Sequence, residues 1–213
     1  MIIIKTNSII SAVKLAYFDL LNSKNIPNDQ DLIKEDSAII SISNVDKEPL
    51  VINIVGKKIL CDYNWRKYFP DIDIKKIKKE IKYWEKEFIE KRKIKIIINY
   101  LRNYPQSRRA IVNFWHDNHK NLNNKCTCIT YLYFRLINNK LEMHSHVRAN
   151  NLFILVFVDM VILSQFQKIV AKELGLDVGK YIHFVDSFHF YHKEDVLIKK
   201  QIKYMNLSSV WKK

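Results

Sequence analysis

Cysteine, arginine and glycine are all scarce in this chain. Three cysteines among 213 residues, Cys61, Cys126 and Cys128, cannot build a disulfide framework, and the last two lie only two positions apart. That usage points to a reducing intracellular compartment, and a cytoplasmic protein is the expectation. Long apolar runs are also missing. The longest, Leu152 to Leu163, has twelve residues and carries Asp159, whereas a bilayer-spanning helix needs about 20. The opening does not read as a secretory leader either, because the apolar stretch Met1 to Ile4 is short and Lys5 interrupts it. With three glycines and four prolines there is no linker, repeat or low-complexity tract, so a single domain over 1–213 is expected.

What is abundant is lysine. Lys and Arg together outnumber Asp and Glu by 36 to 22, for a net charge of +14, but 29 of the 36 are Lys and only 7 are Arg. Arginine is the better residue for forked contacts to phosphate or base edges. Excess Lys beside 31 Ile is what AT-rich coding produces whatever the protein does. The charge therefore reads mainly as a solvated basic surface, and a polymeric nucleic-acid partner is not expected. At 48% hydrophobic and 27% charged, the chain has ample material for a core.

Hydrophobic periodicity predicts a helix over 9–21, a turn at Pro27-Asn28-Asp29, and strands over 38–42 and 50–55, the second closed by Gly56. Ile74, Ile77, Ile81, Trp84 and Phe88 recur every three or four residues, predicting an amphipathic helix over 72–98. Strands are expected at 110–115 and 127–137, with Asn138-Asn139 as a tight hairpin turn into a partner strand at 140–148. A helix over 152–174 is apolar all round in its first half, hence buried, and Gly175 stops it. A further strand at 181–185 precedes Phe188-His189-Phe190-Tyr191-His192. The class is α+β.

Several residues carry chemistry. Asp159 is the lone acid in an apolar helix; a buried carboxylate is neutralised, hydrogen-bonded or functional. Ser107-Arg108-Arg109 sets two scarce guanidiniums side by side, an arrangement that a shared anion such as phosphate relieves, and Arg148 is a third, at the end of a strand. Cys126 and Cys128 share one strand face, as do His144 and His146, which leaves a mixed metal site, two core thiols or one activated nucleophile open. His189 and Tyr191 lie on one side of an extended segment.

In order and spacing, these pieces resemble the thymidylate synthase superfamily, which includes the dCMP and CMP hydroxymethylases. Ser107-Arg108-Arg109 is similar to the family's Ser-Arg-Arg. Tyr133 to Arg135 and Asn138 to Leu141, leading into His146 to Asn151, resemble its hairpin and phosphate segment. Gly175-Leu176-Asp177-Val178-Gly179 resembles its Gly-Leu-x-x-Gly, and His189-Phe190-Tyr191 its His-x-Tyr. The intervals from Cys128 to Arg148, Arg148 to Asp159 and Arg148 to His189 fit without a gap.

The resemblance implies a mixed sheet packed on a long buried helix, with sheets pairing in a homodimer. It implies Cys128 as nucleophile, with Cys126 the alternative, and Glu80 as the acid that manages protons. Arg148 would bind the nucleotide phosphate together with Arg108 and Arg109 reaching across the dimer. His189 and Tyr191 would hold the sugar, and Asn151 would face the folate. 5,10-Methylenetetrahydrofolate is the implied co-reactant and a pyrimidine mononucleotide the substrate. Three positions depart from the pattern: Ala149 replaces a phosphate-binding Ser, Asn151 an Asp, and Ile129 a His. Asp159 stands where thymidylate synthases carry Asn, and it resembles the Asp of cytidylate hydroxymethylases. The expected activity is thus dCMP (or CMP) 5-hydroxymethylation. Methylation of dUMP is the alternative, and a homologue that binds nucleotide without turnover a further one.

Overall fold

The computed structural model describes residues 1–23, 31–45, 92–115, 127–153 and 155–204, with parts of 75–90. Strand β1 (Ile2–Thr6) leads into α1 (Ile9–Asn22), whose N-terminus is capped by the Ser8 hydroxyl accepting from Ser11 N–H. Strand β2 (Leu32–Ile42) returns parallel to β1, a βαβ unit. Helix α2 (Lys93–Asn103) precedes β3 (Ile111–Asn113), and β4 (Ile129–Ile137) turns through Asn138-Asn139 into β5 (Lys140–Asn151). Both asparagines have positive φ, 49° and 59°, as a two-residue hairpin turn requires. Helix α3 (Leu155–Leu174) crosses to β6 (Asp177–Tyr191), and α4 (Asp195–Tyr204) follows.

The six strands form one mixed sheet in the order β1-β2-β6-β5-β4-β3. Strands β5 and β6 are parallel, because α3 carries the chain back over the sheet, and β2–β6, β4–β5 and β3–β4 are antiparallel. Helices α1 and α3 pack on the sheet and on each other, and α2 packs on α3, so one face is covered. Residues aimed at that face, such as Leu132, Phe134, Met143, Val147, Tyr181 and Val185, are buried. Enclosed by sheet and helices, α3 has no solvent side from Val156 to Gln167. That explains its apolar run.

Helix α3 stops as its sequence dictates. Gly175, at φ 67°, lets Leu176 N–H reach the Ala171 carbonyl and Gly175 N–H the Lys172 carbonyl, the paired bonds of a Schellman ending. Gly179 serves packing instead: a Cβ there would lie 2.9 Å from the Leu141 carbonyl oxygen. The β5–β6 register shifts at this point. The buried Gln167 amide then reaches the Leu141, Gly179 and Lys180 carbonyls at 2.8, 3.1 and 3.2 Å.

One expectation is corrected. The helix over 72–98 is not continuous: a π-helical turn occupies Lys86–Glu90, Arg92 takes left-handed φ 55°, and α2 starts afresh. Continuing the phase of buried Trp84 and Phe88 would turn Arg92 and Lys95 inward. The break resets the phase so that Ile97, Ile98 and Leu101 are buried instead. The strands expected at 140–148 and 181–185 are longer than their apolar cores, and α3 begins at Leu155. The Pro27 turn and the strand at 50–55 lie outside the described residues.

Under α3 sits a buried polar cluster. Ser145 Oγ lies 2.7 Å from His183 Nδ1 and 3.1 Å from the Tyr181 hydroxyl, which is 2.9 Å from the same Nδ1. Burial pushes the His183 imidazole down to about 3, so it folds neutral. The unfolded chain takes up a proton below the ordinary value near 6.5 that the native state refuses. This residue therefore contributes stability above pH 6.5 that is lost as pH falls from 6.5 toward 3. Denaturant titrations should show unfolding free energy declining across that window by up to about 1.4 kcal/mol per pH unit, a component absent in His183→Gln.

Candidate active site

The site grows from the pairing of β4 with β5. Ile129 pairs with Val147 and Tyr131 with His146, so Thr130 is an extra residue in β4, a bulge that re-aims the strand's start. Its hydroxyl donates to the His146 carbonyl at 2.9 Å. Just before the bulge, Arg148 N–H donates to the Cys128 carbonyl at 2.9 Å. The same arginine's Nε donates to the Thr127 carbonyl at 3.1 Å, which leaves Nη2 3.9 Å from Cys128 Sγ. Cys128 is half-buried. A guanidinium beside a partly desolvated thiol attracts thiolate charge.

The end of β6 supplies the opposite wall. Asn151 pairs with His189 across the β5–β6 ladder. His189 is buried, with Nδ1 3.0 Å from the Ser187 carbonyl and Nε2 3.2 Å from the Tyr191 hydroxyl. A carbonyl only accepts, so Nδ1 donates to Ser187. Partial burial raises the Tyr191 phenol, and the negative groups of Glu194, Cys128 and Asp31 raise it further against the pull of Arg148. Tyr191 therefore remains protonated, within electrostatic reach of Cys128 and Arg148. A cleft of about 420 Å³ opens beside it, lined by Asp31, Tyr191, His192 and Lys193.

The floor comes from α3 and the end of β5. Asp159 is buried, and Asn150 Nδ2 donates to its Oδ2 at 2.6 Å. Tyr17, wholly buried in α1, donates to the Phe153 carbonyl at 2.7 Å and so fixes the turn between β5 and α3. Asn151 Nδ2 donates to Glu194 Oε2 at 2.8 Å, and that oxygen also accepts from Tyr191 N–H at 3.0 Å.

The central strands thus bring Cys128 and Arg148 together, with Tyr191 in their electrostatic reach, His189 against Tyr191 and Asn151 paired with His189, while Asp159 is tied to the end of β5 through Asn150. Arg108 and Arg109 are not part of this group: both are exposed on the loop before the edge strand β3. Ser107 shapes that loop, its Oγ accepting from Arg109 N–H at 3.1 Å and lying 2.8 Å from the Tyr100 hydroxyl. Glu80 and Cys126 lie outside the described residues. His144 and His146 face carboxylates, Glu142 at 4.0 Å and Asp186 at 3.3 Å.

Three residues escaped the sequence reading. Asn150 holds Asp159, and nothing in a strand-end Asn announces that. Glu194 ties Asn151 to the β6 terminus; an acid three residues after the strand end is a helix-start signal that could have marked it. Glu87 is buried against Lys93 at 3.2 Å, and that ammonium also stands 4.2 Å over the Phe114 ring.

Comparison with known proteins bears on this arrangement. The thymidylate synthase family model matches residues 63–209, well over half of the chain. Curated thymidylate synthases of Listeria monocytogenes (serotype 4b) and Listeria innocua (serovar 6a) are each 28% identical over 108 residues, 50% of this chain and 34% of theirs. The match thus spans about a third of those relatives' length. Among solved structures, the thermostable thymidylate synthase A from Bacillus subtilis is similar at TM-score 0.47 and 21% identity, covering 52% of this chain and 40% of that one. The T4 phage thymidylate synthase gives 0.46 and 23%, covering 51% and 38%. On the extent of the family match, the chain belongs to the thymidylate synthase family.

Proposed function

We propose that the chain is a folate-dependent transferase that adds a one-carbon unit to C5 of a pyrimidine nucleotide, and that it hydroxymethylates dCMP (or CMP). The observation that carries the reading is Cys128 Sγ at 3.9 Å from the Arg148 guanidinium, beside Tyr191 and His189. C5 of a pyrimidine is a poor nucleophile. Addition of the Cys128 thiolate to C6 turns the C4–C5–C6 unit into an enamine-like system able to attack carbon.

Arg148, with Arg108 and Arg109, takes the nucleotide phosphate, and the His189–Tyr191 pair takes a sugar hydroxyl. Glu80 moves protons on the base through water. Methylenetetrahydrofolate, when bound, supplies the one-carbon unit. The cleft beside Tyr191 fits such a partner: its volume lies within the range of about 300–1,000 Å³ usual for small-ligand sites, and His192 and Lys193 suit an anionic end. Asn151 orders this side by holding Glu194. No helix among the described residues is long and apolar enough to cross a membrane.

Base selection rests on Asp159. A carboxylate accepts from the cytosine amino group, whereas uracil O4 beside it sets acceptor against acceptor. The relatives' description as thymidylate synthases favours dUMP methylation as the second reading, and the carboxylate counts against it. We place the homodimer on the open face of the sheet, where Tyr131 stacks on His146 and Ile3, Tyr131 and Ile111 stand exposed. This would bring a partner's Arg108 and Arg109 to complete the phosphate site.

Tritium release from C5-labelled nucleotide tests the chemistry. With methylenetetrahydrofolate, release from dCMP is expected, and Cys128→Ser should lower it about 10³-fold or more while leaving the melting temperature near wild type; loss in Cys126→Ser instead would transfer the role. Asp159→Asn should swing the dCMP:dUMP ratio toward dUMP by about 30-fold, the equivalent of a mispaired acceptor at about 2 kcal/mol. Wild-type release from dUMP alone would overturn the assignment of the base.

A further inference from the structure

Asn150 is 2% exposed, and only half of its amide is used: Nδ2 donates to Asp159, while Oδ1 is buried with no hydrogen-bond partner among the described residues. Leaving a buried amide oxygen unpaired costs about 1–3 kcal/mol, so a native structure that keeps one invites a donor to complete it. We propose that Asn150 is a second specificity-determining residue, whose Oδ1 receives one hydrogen of the cytosine 4-amino group while Asp159 receives the other. This inference rests on the reading of Asp159 as the base-recognition group and extends it to a two-residue reader.

The chemistry of the two side chains divides the work. Asn150 N–H, spent on Asp159 Oδ2 at 2.6 Å, fixes that oxygen as an acceptor and orients the carboxylate. The amide carbon then sets Asn150 Oδ1 two bonds away from this donor, with its lone pairs unused. An exocyclic amino group offers two N–H donors and no acceptor in its ring plane, and so satisfies a pair of acceptors that a carbonyl would leave facing one another. Both residues are held by the fold. Asn150 pairs with Phe188 in the β5–β6 ladder, and Asp159 sits in the buried first half of α3, whose approach Tyr17 pins through the Phe153 carbonyl.

Equilibrium binding of dCMP and of dUMP to the full chain, by calorimetry without folate, tests the proposal independently of turnover. Asn150→Ala should weaken dCMP binding about tenfold and leave dUMP binding within twofold. Asn150→Asp keeps the volume and guards against misfolding. Its two adjacent carboxylates share one proton, which stands in for the lost N–H, so dCMP affinity relative to wild type at the same pH should recover as pH falls from 8 to 5.5. A parallel loss for both nucleotides in Asn150→Ala, or no loss for either, would overturn the role of Asn150 while wild-type preference for dCMP still supported Asp159. Wild-type preference for dUMP, or binding of neither nucleotide, would remove the base reading itself and this inference with it.

Discussion

The bond from Arg148 N–H to the Cys128 carbonyl, with the Arg148 side chain folded over the Thr127 carbonyl, is the contact on which the site depends. It is ordinary ladder pairing at the frayed start of an antiparallel hairpin, and it sets a thiol and a guanidinium on adjacent strands within 4 Å. The turn at Asn138-Asn139 fixes the register from the far end, and the bulge at Thr130 adjusts it near the thiol. A one-residue slip would send Arg148 to the helix side and bury a charge in the core.

Around that pair, the structure handles buried polar groups individually. Helix α3 is enclosed, so every polar residue in its buried half needs a partner within the protein. Gln167 serves the carbonyls displaced by the β5–β6 irregularity, Ser164 donates to the Val161 carbonyl, and Asp159 receives Asn150. Ser164 closes on its own helix, whereas Gln167 spends its N–H groups on the carbonyls and keeps its buried oxygen without a hydrogen-bond partner among the described residues. The third also leaves an amide oxygen over, that of Asn150, and what sets it apart from the Gln167 oxygen is its place beside the buried carboxylate of Asp159. Ser145, Tyr181 and His183 form a further set, held neutral by burial, and give the protein a liability toward acid.

Much of this was legible from sequence, and for identifiable reasons. Apolar spacing over 9–21 and 152–174 is long and regular, so α1 and α3 emerge nearly in place. The strand apolar runs found β4 and β5 and the core of β6, and Asn138-Asn139 and Gly175 announce their turns through the backbone each residue tolerates. The break near Arg92 was not legible, because a pattern count cannot see that continuing one phase would bury Arg92 and Lys95 rather than Ile97 and Leu101. Strand ends were underestimated because they carry polar site residues in place of β-branched ones. In the candidate site, type and interval single out Cys128, Arg148, Asp159, His189 and Tyr191 as the proposed set. Asn150 and Glu194 were not singled out, since their roles follow from pairing across strands, which a linear spacing does not express.

The central claim, that the thiol of Cys128 is the group that meets a pyrimidine nucleotide, is open to one direct measurement. A fluorine at C5 cannot leave as a cation, so a 5-fluorocytosine nucleotide mixed with methylenetetrahydrofolate should stop after carbon–carbon bond formation and remain attached to the protein. Peptide mass mapping is then expected to find nucleotide and folate together on Cys128, with the uracil analogue labelling less. Label on Cys126, or recovery of unmodified protein after long incubation with both reagents, would contradict the account.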